Sequence, residues 1–498
     1  MQTPTTPTTL SPAPIPAEAD PAADPTTAQE VADWLDERQG RFIAISDQIW
    51  EHPEIGMAEF TACRIQADDL AAEGFTITRD IGGMPTAFMA EWSQGEGGAV
   101  IGFLGEYDAL PGLSQERSDT QQPVVPGGDG HGCGHNLLGT ASLAAASVIK
   151  AWLQHTGLPG TVRYYGCPDE EAGDGKVFMA RAGAFADLDL AITWHPGSIN
   201  AVSADSSLAV NSIRYRFRGR TAHAAGNPET GRSALDAVEL MNIGVNYLRE
   251  HVIDQARMHY VITNGGGAPN VVPDDAEVWY FLRAPWRYQL DEITERVRKI
   301  AEGAALMTET TLEVTFLSGT YNMLPNVVIG ERLDAALRAL GPIAFTPEEY
   351  AFAQRIAAAF PEAQRAAALA RIGLPAELID AGLSGDVWPP NGVGEVGAGS
   401  TDVSDVSWNT PTAQINTATW VLGIPGHSWA VTATGAMSIG HKGMLHAAKA
   451  MAIAATDFYR DPALVRAARE EFARETAGRP YVCPVPADIP PPGPSRAS

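Results

Sequence analysis

The sequence predicts an α/β protein with a smaller α+β domain inserted into it, and two observations carry this prediction. Three apolar, β-rich runs at residues 99–104, 162–165 and 188–194 alternate with helical segments, as the strands of a mostly parallel central sheet do. Residues 206–319 follow instead the βαββαβ order of ferredoxin-like domains. Because the alternation of strand and helix resumes only near the C-terminal end, we expect this second segment to interrupt the first.

The predicted domain boundaries follow changes in composition along the chain. Residues 1–28 are Pro, Thr, Ala and Asp with almost no large apolar side chain, so we predict a flexible tail. The larger domain is predicted at residues 29–205 and 320–478, and it includes an Ala-rich helical insertion at 326–395. Residues 479–498 are Pro-rich, and we expect them to form an extended tail across the surface.

The individual elements are predicted from the spacing of apolar residues. Apolar positions between residues 28 and 50 favour a first helix, and those that follow Gly134 also recur at helical spacing. In the inserted segment Ile213, Tyr215 and Phe217 alternate with arginines, which is typical of a half-exposed strand. The remaining predicted elements are helices at 234–251, 290–307 and 442–459 and strands at 258–263, 276–282 and 312–317.

Composition restricts the partners and the compartment of the protein. With 60 acidic and 34 basic residues the formal charge is −26, which would repel a phosphate backbone, so we expect no nucleic-acid partner. The four cysteines lie far apart without a disulfide framework, which indicates thiols in a reducing compartment. We expect no membrane partner, and the N-terminus has neither the basic nor the apolar region of a secretory signal, so the expected location is cytoplasmic.

Ionisable residues follow the three predicted strands of the larger domain. Asp108 follows the first strand, Glu170 and Glu171 follow the second, and His195 ends the third. Ligands of open α/β sheets bind beyond the carboxyl ends of the strands, so we expect these side chains to converge.

A thiol and an imidazole are one residue apart in Cys133-Gly134-His135, directly before a predicted helix. The helix dipole lowers the pKa of a thiol at this position, and a thiolate beside an imidazole suits zinc or a similar divalent ion. Taken alone, the pair could equally be a buried cysteine beside a surface histidine. The strand-end residues favour the metal site.

Several motifs occur in the order found in a known enzyme family. They are residues 50–56 with Glu59 and Thr61, residues 108–111, residues 133–135, Glu170 with Glu171, residues 221–225 and residues 270–273. From about residue 30 to 460 the chain resembles the dinuclear metal-dependent amidohydrolases and peptidases that include carboxypeptidase G, aminoacylase and the indole-acetyl-amino-acid hydrolases. The resemblance implies a catalytic α/β domain with an inserted dimerisation or lid domain.

The resemblance also implies a site for two divalent metal ions, zinc or manganese. The implied ligands are Cys133, His135, Glu171, His195 and a final histidine. We assign the final ligand to His427, and His441 is the rival because its position at a helix start could equally face the substrate. Glu170 is the implied general base, and Asp108 is expected to orient a ligand histidine.

Three residues of the inserted domain, His223, Asn270 and Arg283, match a trio of the resembled family. The resemblance implies that His223 is catalytic and stabilises an oxyanion at the metal site of a partner chain. Asn270 and Arg283 are implied to bind substrate, and an arginine can hold a carboxylate through two parallel hydrogen bonds.

The implied function is hydrolysis of the amide bond of an N-acyl or N-aroyl amino acid, such as p-aminobenzoyl-glutamate, by metal-activated water. The expected partners are a small amide substrate with a carboxylate and a second protein chain, in a homodimer or in a hetero-oligomer with a related chain. Two alternatives stay open from the sequence. One is a dipeptidase or aminopeptidase, and the other is a non-catalytic metal-binding subunit of a hetero-oligomer.

Overall fold

Two separate β-sheets organise the chain in the computed structural model, which describes residues 23–493. The strands in chain order are β1 (Thr76–Arg79), β2 (Phe88–Gln94), β3 (Val100–Glu106), β4 (Gly160–Cys167), β5 (Leu190–Gly197), β6 (Ala201–Ser203), β7 (Ala209–Arg218), β8 (Arg257–Asn264), β9 (Asp275–Ala284), β10 (Thr311–Thr320) and β11 (Thr412–Ala418).

Helices surround both sheets. They are α1 (Pro25–Glu51), α2 (Phe60–Ala72), α3 (His135–Thr156), α4 (Gly175–Arg181), α5 (Ala234–Leu248), α6 (Arg287–Thr308), α7 (Val327–Leu340), α8 (Pro347–Ala357), α9 (Glu362–Arg371), α10 (Val403–Ser407), α11 (Trp429–Thr434), α12 (Ser438–Arg460) and α13 (Pro462–Glu475). Short 3₁₀ turns lie at Ile81–Gly83, Pro228–Thr230, Arg249–His251 and Ala376–Asp380.

The larger sheet has seven strands in the order β1-β2-β4-β3-β5-β11-β6. Its four central strands, β4, β3, β5 and β11, run parallel, whereas the edge strands β1, β2 and β6 pair antiparallel. The predicted α/β class with a parallel centre is confirmed, and the complete sheet is mixed. The edges escape prediction because β1 is mostly exposed and β6 has only three residues, so neither has an apolar run.

Both faces of the larger sheet are covered. Helices α1, α3, α7 and α12 pack against one face in the main core, and α4 and α10 pack against the other. Helix α3 is long and apolar enough to cross a membrane by length and composition, yet 89% of its most apolar stretch is buried inside the protein. We therefore interpret α3 as the core helix of the larger domain, since its apolar surface is already covered by protein.

The smaller sheet contains β7 to β10 in the order β10-β7-β9-β8, with every pair antiparallel. Helices α5 and α6 pack on this sheet, so the predicted α+β unit is present. The predicted alternation in β7 is also observed, because Ile213, Tyr215 and Phe217 are buried while Arg214 and Arg216 are partly exposed.

Two of the predicted boundaries require correction. Helix α1 begins at Pro25, where the Asp24 side chain accepts a hydrogen bond from Thr26 N (3.1 Å), so residues 25–28 do not belong to a tail. Residues 1–22 and 494–498 lie outside the described part of the chain. The predicted helical insertion at 326–395 also starts too early, because α7 packs into the main core; an amphipathic helix has the same sequence pattern in either setting.

Candidate metal centre

Five side chains meet near the carboxyl ends of the central strands. Cys133 precedes α3, His135 begins α3, Glu171 follows β4, His195 lies near the end of β5, and His427 precedes α11. They form two possible ligand sets, Cys133 with His135 and His195, and Cys133 with Glu171 and His427. Within each set the ligand atoms lie within 4.8 Å of one another, and Cys133 is common to both.

Individual distances show how closely the two sets adjoin. Cys133 Sγ lies 3.3 Å from His195 Nε2, and His427 Nε2 lies 3.4 Å from Glu171 Oε2. His135 Nε2 is 4.0 Å from Glu171 Oε1. The structure therefore brings together all five residues predicted as ligands, four of them from the larger domain's strand ends and the start of α3.

Hydrogen bonds orient the ligand atoms toward one another. His135 Nδ1 lies 2.8 Å from Asp108 Oδ1, and His195 Nδ1 lies 2.7 Å from Pro196 O, so in both rings Nε2 faces the cluster. Asp108 Oδ2 also accepts a hydrogen bond from Glu171 N (2.9 Å). Asp108 thus has the geometry expected of a residue that fixes a ligand histidine.

The donor atoms fit a divalent cation. Among the described residues, the buried atoms His135 Nε2 and Glu171 Oε1 have no hydrogen-bond partner, which would be unfavourable unless a ligand satisfied them. Burial lowers the pKa of His195 to about 4, so its imidazole is neutral at neutral pH, the form that binds metals. Burial raises the pKa of the Cys133 thiol, and a bound cation would favour the thiolate.

A strained loop carries the two glutamates. Asp169, directly before Glu170, has a left-handed backbone with φ 56°, and its N–H donates to Glu59 Oε1 (2.8 Å). A Cβ at Gly56 would lie only 1.7 Å from Asp169 Oδ1, so glycine is required there. The motif at residues 50–59 therefore holds the loop that presents Glu170 and Glu171.

A cavity of about 750 Å³ lies beside the metal cluster, between the two domains. Glu170, Glu171 and His427 line it from the larger domain, as does the loop at residues 396–400. From the smaller sheet it is lined by Arg257 and His259 on β8 and Arg283 on β9. This volume suits a small organic substrate.

The other predicted site residues lie elsewhere. His223 and Asn270 are exposed on adjacent loops of the smaller domain, joined by a hydrogen bond from Ala224 N to Asn270 O (3.0 Å), and neither lines the cavity. His441 lies on α12 with its Nε2 2.9 Å from Asp47 Oδ1, away from the ligand sets and the cavity lining. Of the two rival histidines, the structure thus brings only His427 to the cluster.

Sequence reasoning missed a buried ion-pair network behind the ligands. Lys176 on α4 is fully buried, and its Nζ lies 2.6 Å from both Glu106 Oε1 and Asp402 Oδ1. Glu106 Oε2 in turn lies 3.4 Å from His135 Nε2. Lys176 therefore joins the end of β3 to the segment that follows the cavity loop. No sequence pattern marks this lysine, because it lies in a short helix without periodicity.

We expect Lys176→Met to lower the free energy of unfolding by about 3–5 kcal/mol, because it leaves two buried carboxylates without their cation. Denaturant unfolding monitored by circular dichroism measures the change. Lys299→Met is the matched control, since Lys299 is largely exposed and its pair with Glu295 is solvated, so its midpoint should change little. Equal midpoints for the two variants would contradict a structural role for the network.

The fold and the cluster together define a metal-dependent amide hydrolase with an inserted α+β domain. The chain belongs to peptidase family M20/M25/M40, whose family model matches residues 102–487. This result confirms the family resemblance predicted from the sequence motifs.

Relatives of known name span most of the chain. Over 472 residues, which is 93% of this chain and 98% of the relative, it is 45% identical to one of the named subunits of p-aminobenzoyl-glutamate hydrolase of Escherichia coli (strain K12). It is 33% identical to the Xaa-Arg dipeptidase of Mus musculus over 310 residues, 60% of this chain and 68% of the relative.

Solved structures share the fold at low sequence identity. A dinuclear metal-binding peptidase of the M20 family from Bacillus subtilis superposes with a TM-score of 0.56 at 18% identity, over 85% of this chain and 99% of that structure. An aminobenzoyl-glutamate utilization protein from Klebsiella pneumoniae gives a TM-score of 0.54 at 19% identity, over 84% and 98%. These likenesses support the two-domain α/β architecture.

Proposed function

We propose that the chain hydrolyses the amide bond between an aroyl or acyl group and an amino acid, with p-aminobenzoyl-glutamate as the model substrate. One observation carries the proposal. A single cavity is lined by Glu170 and Glu171 of the metal cluster and by Arg283 of the smaller sheet. A substrate with an amide and a carboxylate can therefore contact the hydrolytic groups and a guanidinium together.

Arg283 is well suited to hold the carboxylate of the substrate. Its Nη1 donates to Ser400 Oγ (3.0 Å), and it forms no ion pair with an acidic residue in the described chain. Burial lowers the pKa of Arg283, which stays charged at neutral pH because a guanidinium titrates far above it. An anion would satisfy this partly buried charge, and a guanidinium binds a carboxylate through two parallel hydrogen bonds.

The ligand sets suit two divalent ions that share Cys133, and zinc or manganese fits the mixed thiolate, imidazole and carboxylate donors. Such ions polarise a carbonyl and lower the pKa of water. Glu170 takes the proton of the attacking water and returns it to the departing nitrogen. Burial and the charges of Glu106 and Asp402 raise the pKa of Glu170, so it can hold that proton between the two transfers.

His223 has the tautomer that oxyanion stabilisation requires. Its Nδ1 accepts hydrogen bonds from Ala225 N (3.2 Å) and Gly226 N (3.0 Å), so the ring proton belongs on Nε2, a free donor. Because His223 is exposed and does not line its own cavity, we infer that it acts in the site of a partner chain.

The smaller domain also has the surface of an interface. Edge strand β8 exposes the apolar residues Tyr260, Val261 and Ile262 next to one another, and unpaired edges and apolar patches favour association. The partner is a second copy of this chain or a related protein. Two relatives support the second possibility, because both are named as subunits of p-aminobenzoyl-glutamate hydrolase of Escherichia coli; one is the relative at 45% identity and the other is 26% identical to this chain.

The alternatives are less well supported. A dipeptidase that releases arginine, as the name of the mouse relative indicates, would place a cationic side chain in a cavity already lined by Arg257 and Arg283. A non-catalytic protein would not need Glu170 beside a complete ligand set. The four cysteines are free thiols, which supports a reducing, cytoplasmic location.

The experiment is a hydrolysis screen with purified protein loaded with zinc or manganese. The substrates are p-aminobenzoyl-glutamate, N-acetyl-glutamate and alanyl-arginine, and release of the free amine is measured. We expect the aroyl conjugate to have the highest kcat/KM. Preference for alanyl-arginine would establish the dipeptidase, and no release from any substrate with full metal occupancy would favour a non-catalytic metal-binding role.

A further inference from the structure

Two arginines stand side by side in the cavity without an acidic partner. Arg257 on β8 and Arg283 on β9 are direct cross-strand neighbours, and both line the cavity. Directly opposed residues of an antiparallel pair project from the same face, with Cβ atoms about 5 Å apart, and like charges in such a pair repel. The sheet would therefore be more stable with an anion between the two guanidinium groups.

Neither arginine is neutralised within the described chain. Arg257 Nη1 donates to the backbone oxygens of Asp254 (2.8 Å) and Ala256 (2.9 Å), and Arg283 donates to the Ser400 hydroxyl. The same sheet shows the opposite arrangement on β7, where Arg216 forms an ion pair with Asp275 at 2.6 Å. The missing counter-charge is thus a property of the cavity and not of the domain.

His259 adds a third polar group on the same strand. It lies two residues from Arg257, so both side chains project from one face of β8, and both line the cavity. Burial and the charges of Arg283, Arg249 and Arg257 lower the pKa of His259. Its imidazole is therefore a neutral hydrogen-bond donor beside two permanent cations.

We propose that Arg257, assisted by His259, binds a second carboxylate of the substrate while Arg283 binds the first. The cavity then selects N-acyl derivatives of acidic amino acids, glutamate or aspartate. This inference rests on the proposed function, since it specifies the amino acid that the hydrolysis releases. A short carbon chain separates the two carboxylates of these amino acids, which matches adjacent guanidinium groups on neighbouring strands.

The test compares N-benzoyl-L-glutamate with N-benzoyl-L-alanine, which lacks the second carboxylate. We expect the wild-type protein to have a higher kcat/KM for the glutamate conjugate, and Arg257→Gln to reduce the glutamate-to-alanine ratio about 10- to 100-fold, mainly through KM. Arg249→Gln is the matched control. It removes the same charge near His259, but Arg249 does not line the cavity, so the ratio should stay close to that of the wild type.

Equilibrium binding separates this inference from the proposed function. The dissociation constants of both conjugates are measured by calorimetry with metal-loaded Glu170→Gln protein, with and without Arg257→Gln. Loss of glutamate preference on Arg257→Gln supports the second carboxylate site even if hydrolysis fails. An unchanged preference, or an equal loss in Arg249→Gln, would overturn it while leaving hydrolysis of N-acyl amino acids intact.

Discussion

Glu170→Gln is expected to lower kcat by about 10²- to 10⁴-fold while the bound metal is retained, because general acid–base catalysis contributes about that much. The structure separates the two adjacent glutamates. Glu171 belongs to a ligand set with Cys133 and His427, whereas Glu170 belongs to neither Cys133 set and lines the cavity. A glutamine keeps the shape of Glu170 but cannot accept the proton of the attacking water.

Single-turnover kinetics and elemental analysis of the same samples check this result. Glu171→Gln is the matched control, because it changes the neighbouring residue in the same way. We expect that variant to lose metal as well as activity, since Glu171 Oε2 lies 3.4 Å from His427 Nε2 in the cluster. If Glu170→Gln kept wild-type turnover, another group would have to be the base.

Activity should return when inactive Glu170→Gln protein is mixed with inactive His223→Ala protein under conditions that exchange the chains of a dimer. Each variant alone lacks one group at every site, and loss of one oxyanion donor typically costs about 10²- to 10³-fold in kcat. In a mixed dimer, one site would combine an intact Glu170 from one chain with an intact His223 from the other. The recovered rate, measured against wild-type protein, reports sites shared between the two chains.

The control for this mixture is Glu170→Gln protein combined with the double variant Glu170→Gln, His223→Ala. That mixture contains no intact Glu170, so it should stay inactive whatever the exchange. If mass spectrometry shows that the chains exchange and the first mixture still gives no activity, His223 acts within its own chain or only supports the smaller domain.

Much of the site could be predicted because its residues follow strand ends and local motifs. Asp108, Glu171 and His195 each follow or end a buried strand, so the direction of the central sheet alone predicts that they converge. Cys133 and His135 are separated by one residue before α3, which makes them recognisable without tertiary information.

Residues that meet only through tertiary packing could not be predicted. Arg257 and Arg283 become neighbours through the register of β8 with β9, and a change of one residue in that register would turn one of them to the other face. Lys176 looks like a surface lysine in the sequence, and only its two buried carboxylate partners reveal its role. His427 and His441 both lie in polar turns, so only the backbone path distinguishes them.

The most direct test of the account is the metal content of four variants, measured by mass spectrometry after loading with zinc or manganese and removal of excess ion. Because Cys133 belongs to both ligand sets, Cys133→Ala should lose both ions, whereas His195→Ala and His427→Ala should each lose one. His441→Ala, which alters a histidine bound to Asp47, should retain both. Retention of two ions by Cys133→Ala, or loss of metal by His441→Ala but not by His427→Ala, would contradict a metal centre shared through Cys133.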